Sequence, residues 1–369
     1  MKINTLPVKT WNRLRMNDHD AEKDFDFKTF KYKEECPEGV KTGVITVGYD
    51  EGEANPEHFD ESSGSRYSFG KGLRTGFGAE FKEALNKSGA PVTVYDFGEG
   101  KEYDTPLYQD FNFTGEANFG NIVEYRVGDG SSATVIQFVT SEGAGNSEIF
   151  IQSRYRLGKG ARLTLVQIQT LEKSCTFYND IGGRAEEDGE FNLIQIILGG
   201  KNNAYGVFSS LEGKRSSFTS ELAYELGNDE KLDINYVADH TGAQTVSNIN
   251  VSGVLKGSAN KLFRGTIDFH RGCAGAKGAE LEDVLMLDEG CENKTIPLIL
   301  CDEEDVEGSH GASIGKPDEA KIYYMKSRGI SEEEALRMIA RSKIASVERK
   351  IKDERTRERL AKLHGEESL

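Results

Sequence analysis

ATVIQFVTSEG (residues 133–143) and ARLTLVQIQT (161–170) are the stretches that decide the fold. Both alternate apolar with polar residues, the period of two that belongs to a strand with one buried face. The same texture returns in FNLIQIILGG (191–200), LDINYVAD (232–239), NINVSGVLKG (248–257) and LFRGTIDF (262–269), each bounded by Gly, Asn or Asp. Glycines recur at 128, 143 and 158, then at 213, 227, 242, 257 and 272. Steps of 14 or 15 residues, with no helical pattern between the strands, predict a β-solenoid in which each short strand pairs with its equivalent in neighbouring coils. A β-sandwich also uses short, evenly spaced strands. The persistence of the spacing over more than a hundred residues favours the solenoid, a mainly β body expected over residues 89–312.

Outside that body the texture changes. Residues 1–88 read as a small mixed or irregular region, with one helical stretch, AEFKEALNKSG, stopped by Gly89. Residues 313–369 read as a helical domain. Pro317 suits a first helical turn, Gly329 a C-terminal stop, and Ser331 with Glu334 a capping box. Leu336, Ala340, Ile344, Val347 and Ile351 then trace one apolar stripe, whose ordinary use is packing on the body of the same chain. A helical tail of this kind is also a candidate docking element.

Composition narrows the function. The chain has 369 residues, 46 basic and 62 acidic, for a formal net charge of −16. Such a surface repels phosphate backbones and anionic lipid, so neither nucleic acid nor membrane is an expected partner. No apolar run approaches the roughly 20 residues of a spanning helix. The first twenty residues carry no signal-like apolar stretch, and the expected location is the cytoplasm.

Chemical motifs are sparse. SFGKGLRTGFGAEF (68–81) lacks the phosphate-loop pattern and reads as turns. The six histidines and five cysteines show no metal-ligand spacing. Carboxylates are abundant enough for a carbohydrate-active β-helix enzyme working through an acidic pair, the alternative to a non-catalytic scaffold, but nothing selects a pair. Cys273, Cys291 and Cys301 stand near His310 in sequence and could supply soft ligands. Cys301, ending TIPLIL, is expected to be buried, and Cys291, in the turn DEGCENK, exposed. His310 sits among Gly308, Ser309, Gly311 and Ala312, too little bulk to bury a ring. Two readings stay open for it: an imidazole presented to a partner, or a packing histidine between body and tail.

One stretch is more specific. TIPLILCDEEDVEGSHGASIGKPDEAKIYYMKSRGISEEEALRMI (295–339) resembles the C-terminal signature of the SufB/SufD scaffolds of the SUF iron–sulfur cluster assembly system, the SufD branch most of all. LPVKTWNRLRMND (6–18), GAPVTVYDFGEG (89–100) and GKGARLTLVQIQT (158–170) resemble further parts of that family. The resemblance implies a right-handed parallel β-helix, a non-enzymatic role, and a C-terminal helical domain that docks a SufC-like ABC-type ATPase. It also implies pairing with a SufB-like paralogue or a second copy, a nascent iron–sulfur cluster shared with that partner, and a reduced flavin in the complex. His310 matches the SufD-like histidine of the S-H-G-A loop and is the candidate iron ligand. Gly311 stands where SufB-like chains carry a glutamate, Glu282 where they carry their sulfur-receiving cysteine, and Ala144 near their other core cysteine. Glu282 is thus expected as an oxygen donor or polar neighbour facing the same interface as His310. Tyr323, Tyr324, Met325 and Arg328 are the expected ATPase contacts.

Overall fold

The computed structural model describes residues 1–9, 14–21, 27–46 and 73–365. Residues 68–72 of the glycine-rich segment and 10–13 of the N-terminal stretch lie outside them. Short strands β1 (Lys2–Ile3) and β2 (His19–Asp20) pair with each other, and among the described residues the remaining strands form two nine-stranded sheets. The first sheet runs from β3 (Lys33–Glu35) through β6 (Leu107–Thr114), β8 (Ser132–Glu142), β10 (Arg162–Thr170) and β12 (Glu190–Ile197). It continues with β14 (Ser217–Leu226), β16 (Val246–Leu255), β18 (Ala276–Met286) and β20 (Val306–Gly315). The second runs from β4 (Lys41–Thr46) through β5 (Pro91–Phe97), β7 (Phe119–Val127), β9 (Glu148–Leu157) and β11 (Thr176–Ala185). It continues with β13 (Asn202–Leu211), β15 (Lys231–His240), β17 (Asn260–Phe269) and β19 (Glu292–Cys301).

From β5 onward the chain alternates between the sheets and every pairing is parallel, so the body is a parallel β-helix with two strands per coil. Antiparallel β3 and β4 close its N-terminal end. The register advances by 26 residues (Thr176 to Asn202) to 32 (Phe269 to Cys301) per coil. The 14- or 15-residue step in the sequence is therefore half a coil, and each strand pairs with the one two steps away. The glycines serve two ends. Gly257 takes a left-handed conformation (φ 61°), whereas Gly213 permits close stacking: a Cβ there would stand 2.0 Å from the carbonyl carbon of Glu186 in the next coil.

Inward residues form columns down the axis. Tyr155, Phe191 and Phe218 stack, with centroids 3.9 and 5.6 Å apart. Beside them runs an amide column, in which Gln137 donates to Gln109 (3.0 Å), Gln167 to Gln137 (2.6 Å) and Gln195 to Gln167 (2.6 Å). Each amide thus serves the next along the column, the condition for tolerating polar groups in such a core, and only the Gln109 amide nitrogen at its end is left without a partner among these glutamines.

The helices coat the outer faces. α1 (Ala79–Ser88), where the sequence predicts a helix, ends at left-handed Gly89 and seats Phe81 and Leu85 with Val92, Val94, Ile122 and Phe150 of the second sheet. The N-terminal segment is tied down by buried Arg264, which donates to the Met16 carbonyl (2.6 Å) and pairs with Asp233 (2.7 Å). At the other end come α2 (Glu319–Ser327), α3 (Glu332–Glu348) and α4 (Glu354–Leu363). Ser331 caps α3 by accepting from the Glu334 amide. Four of the five stripe residues do what the period implies: Ala340, Ile344, Val347 and Ile351 are buried on Ile136, Val166, Ile168, Ile194 and Ile196 of the first sheet, whereas Leu336 is only half-buried.

Candidate functional site

Where the β-helix ends, none of the described residues stacks on its last coil. β19 and β20, ten residues each, are paired on one side only. In-register parallel neighbours point their side chains to the same face, so the columns identify which residues of the last coil face inward. Ile249, Glu280 and His310 form one column; Val251, Glu282 and Ala312 form another. Ile249 and Val251 are buried core. His310 thus belongs to the inward face, and it is exposed because no further coil covers it. It makes no hydrogen bond with any described residue. The alternative of a packing histidine finds no packing partner here: the residue is exposed, not wedged between body and tail.

Glu282 requires a correction. It is 2% exposed and does not face the surface with His310. The coil above it covers it, and its carboxylate is spent internally: one oxygen pairs with the Lys261 ammonium and the other accepts from Thr295 Oγ1 at 2.6 Å. Burial pulls the Lys261 pKa below the usual lysine value, against the attraction of Glu282. Next to this pair stands Glu280, 3% exposed, whose pKa burial and the neighbouring Glu282 raise to about 7, with Lys261 opposing. Nothing in the sequence singles out Lys261 or Glu280. Only the coil register places a lysine from β17 across from two glutamates of β18, directly beneath the open end.

The cysteines invert the sequence expectation. Cys301 is exposed, since it faces inward in the uncovered last coil, in register with buried Phe269. Cys291 is buried, its turn stacked on the preceding one with the thiol 3.5 Å from the Gly257 carbonyl oxygen. Cys273 is buried too. The apolar run TIPLIL, read alone, could not show that no described coil stacks on it.

The four residues expected to contact an ATPase lie on or just after α2, which buries none of its residues. Tyr323 is 77% and Tyr324 59% exposed, Met325 is half-buried, and the Arg328 guanidinium lies over the Tyr324 ring, 5.2 Å from its centroid. So large an aromatic area on a helix without a covering element is unusual for a finished surface.

Fold and site define a class: a parallel β-helical scaffold with a helical appendage and an open final coil. Residues 116–343, more than half of the chain, match the family described as SUF system FeS cluster assembly, SufBD core domain, and the chain belongs to that SufB/SufD family of iron–sulfur assembly scaffolds, most like its SufD members. It is 37% identical over 108 residues to the iron-sulfur cluster assembly protein SufD of Bacillus subtilis, covering 29% of this chain and 25% of that protein. A SufBD family protein of Staphylococcus epidermidis is 32% identical over 128 residues, 35% of this chain and 27% of the relative. One from Mycobacterium leprae is 24% identical over 182 residues, 47% and 46% of the two chains. These matches span less than half the length of each relative. Among the described residues no helix is long and apolar enough to cross a membrane.

Proposed function

We propose that this chain is a non-catalytic scaffold subunit on which an iron–sulfur cluster is assembled, with the open end of the β-helix as the assembly face. The observation that carries the reading is the final coil: two unpaired ten-residue edges flank an exposed inward-facing imidazole. Unpaired strand edges are templates for another chain, and here the fitting chain is a SufB-like paralogue or a second copy, which would extend both sheets and bury the coil's mouth. His310 would then lie at the joint, its neutral nitrogen available to iron of the nascent cluster, the cargo of the assembly. Glu282 supports this site from beneath, through Lys261, and is not a donor at the surface. The ATPase expected from the family would seat on α2 through Tyr323, Tyr324, Met325 and Arg328, aromatic, sulfur and guanidinium groups of the kind enriched at interface cores.

The test is co-expression with a SufB-like subunit and the ATPase, comparing wild type with His310→Ala for bound iron and sulfide, complex composition and melting temperature. Loss of cluster with intact assembly and stability is the expected result. Full cluster loading in the variant overturns the role of His310.

A further inference from the structure

Away from the open end, on the outer face of the second sheet, three potential ligands converge. Asp239 on β15 and Asp268 on β17 are register partners, so parallel pairing stacks their carboxylates side by side. His270 follows just after β17, held by its backbone N–H to the His240 carbonyl at 3.0 Å. His270 Nε2 lies 2.8 Å from Asp239 Oδ1 and 3.5 Å from Asp268 Oδ2, and one donor atom from each residue falls within 4.8 Å of the others. Donors bonded to one ion at ~2.1 Å stand about 3 to 3.5 Å apart, and the two His270 separations, 2.8 and 3.5 Å, lie near that spacing.

Two further observations indicate that a cation belongs there. Like charges directly opposite on neighbouring strands repel. The Asp268 carboxylate, 17% exposed, receives no hydrogen bond from any described residue, and the His270 imidazole stands 3.5 Å from it. Asp239, at 7%, is better supported: Ser210 Oγ donates to its Oδ2 at 3.1 Å, which leaves Oδ1 turned toward the imidazole, and Arg74, stacked on Phe208, reaches Oδ1 only at 3.8 Å. A half-buried carboxylate that no described protein donor reaches keeps its oxygens available to solvent or to a cation. The hydroxyl behind Asp239 is the kind of outer partner that orients a ligand.

We infer that Asp239, Asp268 and His270 form a binding site for one divalent first-row transition cation, held by two carboxylate oxygens and one imidazole nitrogen. The imidazole selects against magnesium and calcium, which prefer all-oxygen shells, and the carboxylates against a soft monovalent ion. The site is distinct from His310 and does not depend on the assembly reading.

The experiment is titration of the purified full-length chain with Mn²⁺, free ion being counted by electron paramagnetic resonance. We expect one bound ion per chain, displaced by Zn²⁺ and not by an equal concentration of Mg²⁺. Asp268→Asn and His270→Gln should each weaken binding by at least roughly 10-fold, and Ser210→Ala by about 10-fold, while His310→Ala changes nothing. Circular dichroism establishes that each variant is folded, and His270, 39% exposed, is the safer of the two ligand changes. No protein-bound Mn²⁺, binding unchanged in folded His270→Gln, or equal displacement by Mg²⁺ each overturns the proposal.

Discussion

Lys261 and Glu282 are the residue-scale feature that most rewards measurement. Both are fully buried as side chains, and a buried pair of this kind costs little net stability while intact but a great deal when halved. Lys261→Met should therefore destabilise the chain by about 3–5 kcal/mol, since it strands the Glu282 carboxylate beside Glu280. Lys261→Met combined with Glu282→Leu should recover most of that loss; urea unfolding of the two singles and the double closes the cycle, and a double variant no better than the single would contradict it. The double variant also separates roles, because it removes the ion pair beside Glu280, the residue beneath His310, while leaving the imidazole in place. Asp233 offers a second test. Burial works against its charge, but Arg264 and then His19 overcome that, and its pKa is lowered to about 2. A depressed carboxylate stabilises the fold above its unfolded pKa of about 3.9, and that contribution is lost as pH falls through the folded value. On the order of 2 kcal/mol should disappear between about pH 4 and pH 2 in wild type. In Asp233→Asn the drop over that window should be smaller; equal urea midpoint shifts in the two proteins would exclude this account.

At the scale of the element, the tail divides into parts with different duties. α3 is a wall of the body, and removing residues 316–369 would uncover Ile136, Phe138, Val166 and Ile168 on the first sheet. Aggregation of such a truncation would say nothing about docking. A shorter deletion, residues 316–330, takes away α2 and leaves α3 with its Ser331 cap. It should keep the melting temperature within a few degrees while abolishing ATPase capture in a pull-down, and retained capture would move the docking surface elsewhere. By contrast, Ile344→Ala, in the buried stripe, should cost about 2–5 kcal/mol in urea unfolding and leave capture unchanged.

For the whole molecule the decisive asymmetry is between the two ends of the coil. Antiparallel β3 and β4 close the N-terminal end, while β19 and β20 stay open. Long exposed edges are an aggregation hazard unless something covers them. Ile314 (44% exposed) and Ile299 (37% exposed) flank the mouth. Ile314→Lys with Ile299→Lys should block pairing with a SufB-like subunit, or self-pairing, in analytical ultracentrifugation, with little change in monomer stability because neither residue is buried. Undiminished pairing would place the interface away from the coil end.

The alternation and glycine step of residues 128–272 were enough to establish the β-helix, and the 3.6-residue stripe was enough to place α3 on the body, because both patterns are local and repeat. His310 stood out for another reason, a motif that resembles a known one, but its exposure follows from the lack of a described coil stacked on it and not from its small neighbours. What the sequence could not carry is which coil is last. Cys301 and Glu282 sit in equally regular alternating strands, yet one is exposed and the other buried, since burial inside a coil depends on whether another coil is stacked above it. Likewise Asp239 and Asp268 are 29 positions apart, and His270, Lys261 and Glu280 belong to different half-coils from some of their partners. Their meetings are set by a register that advances 26 to 32 residues per coil, a quantity no local period encodes. Local hydrophobic periodicity determined the elements, whereas the stacking register of the folded chain decided which charges meet and which face remains open.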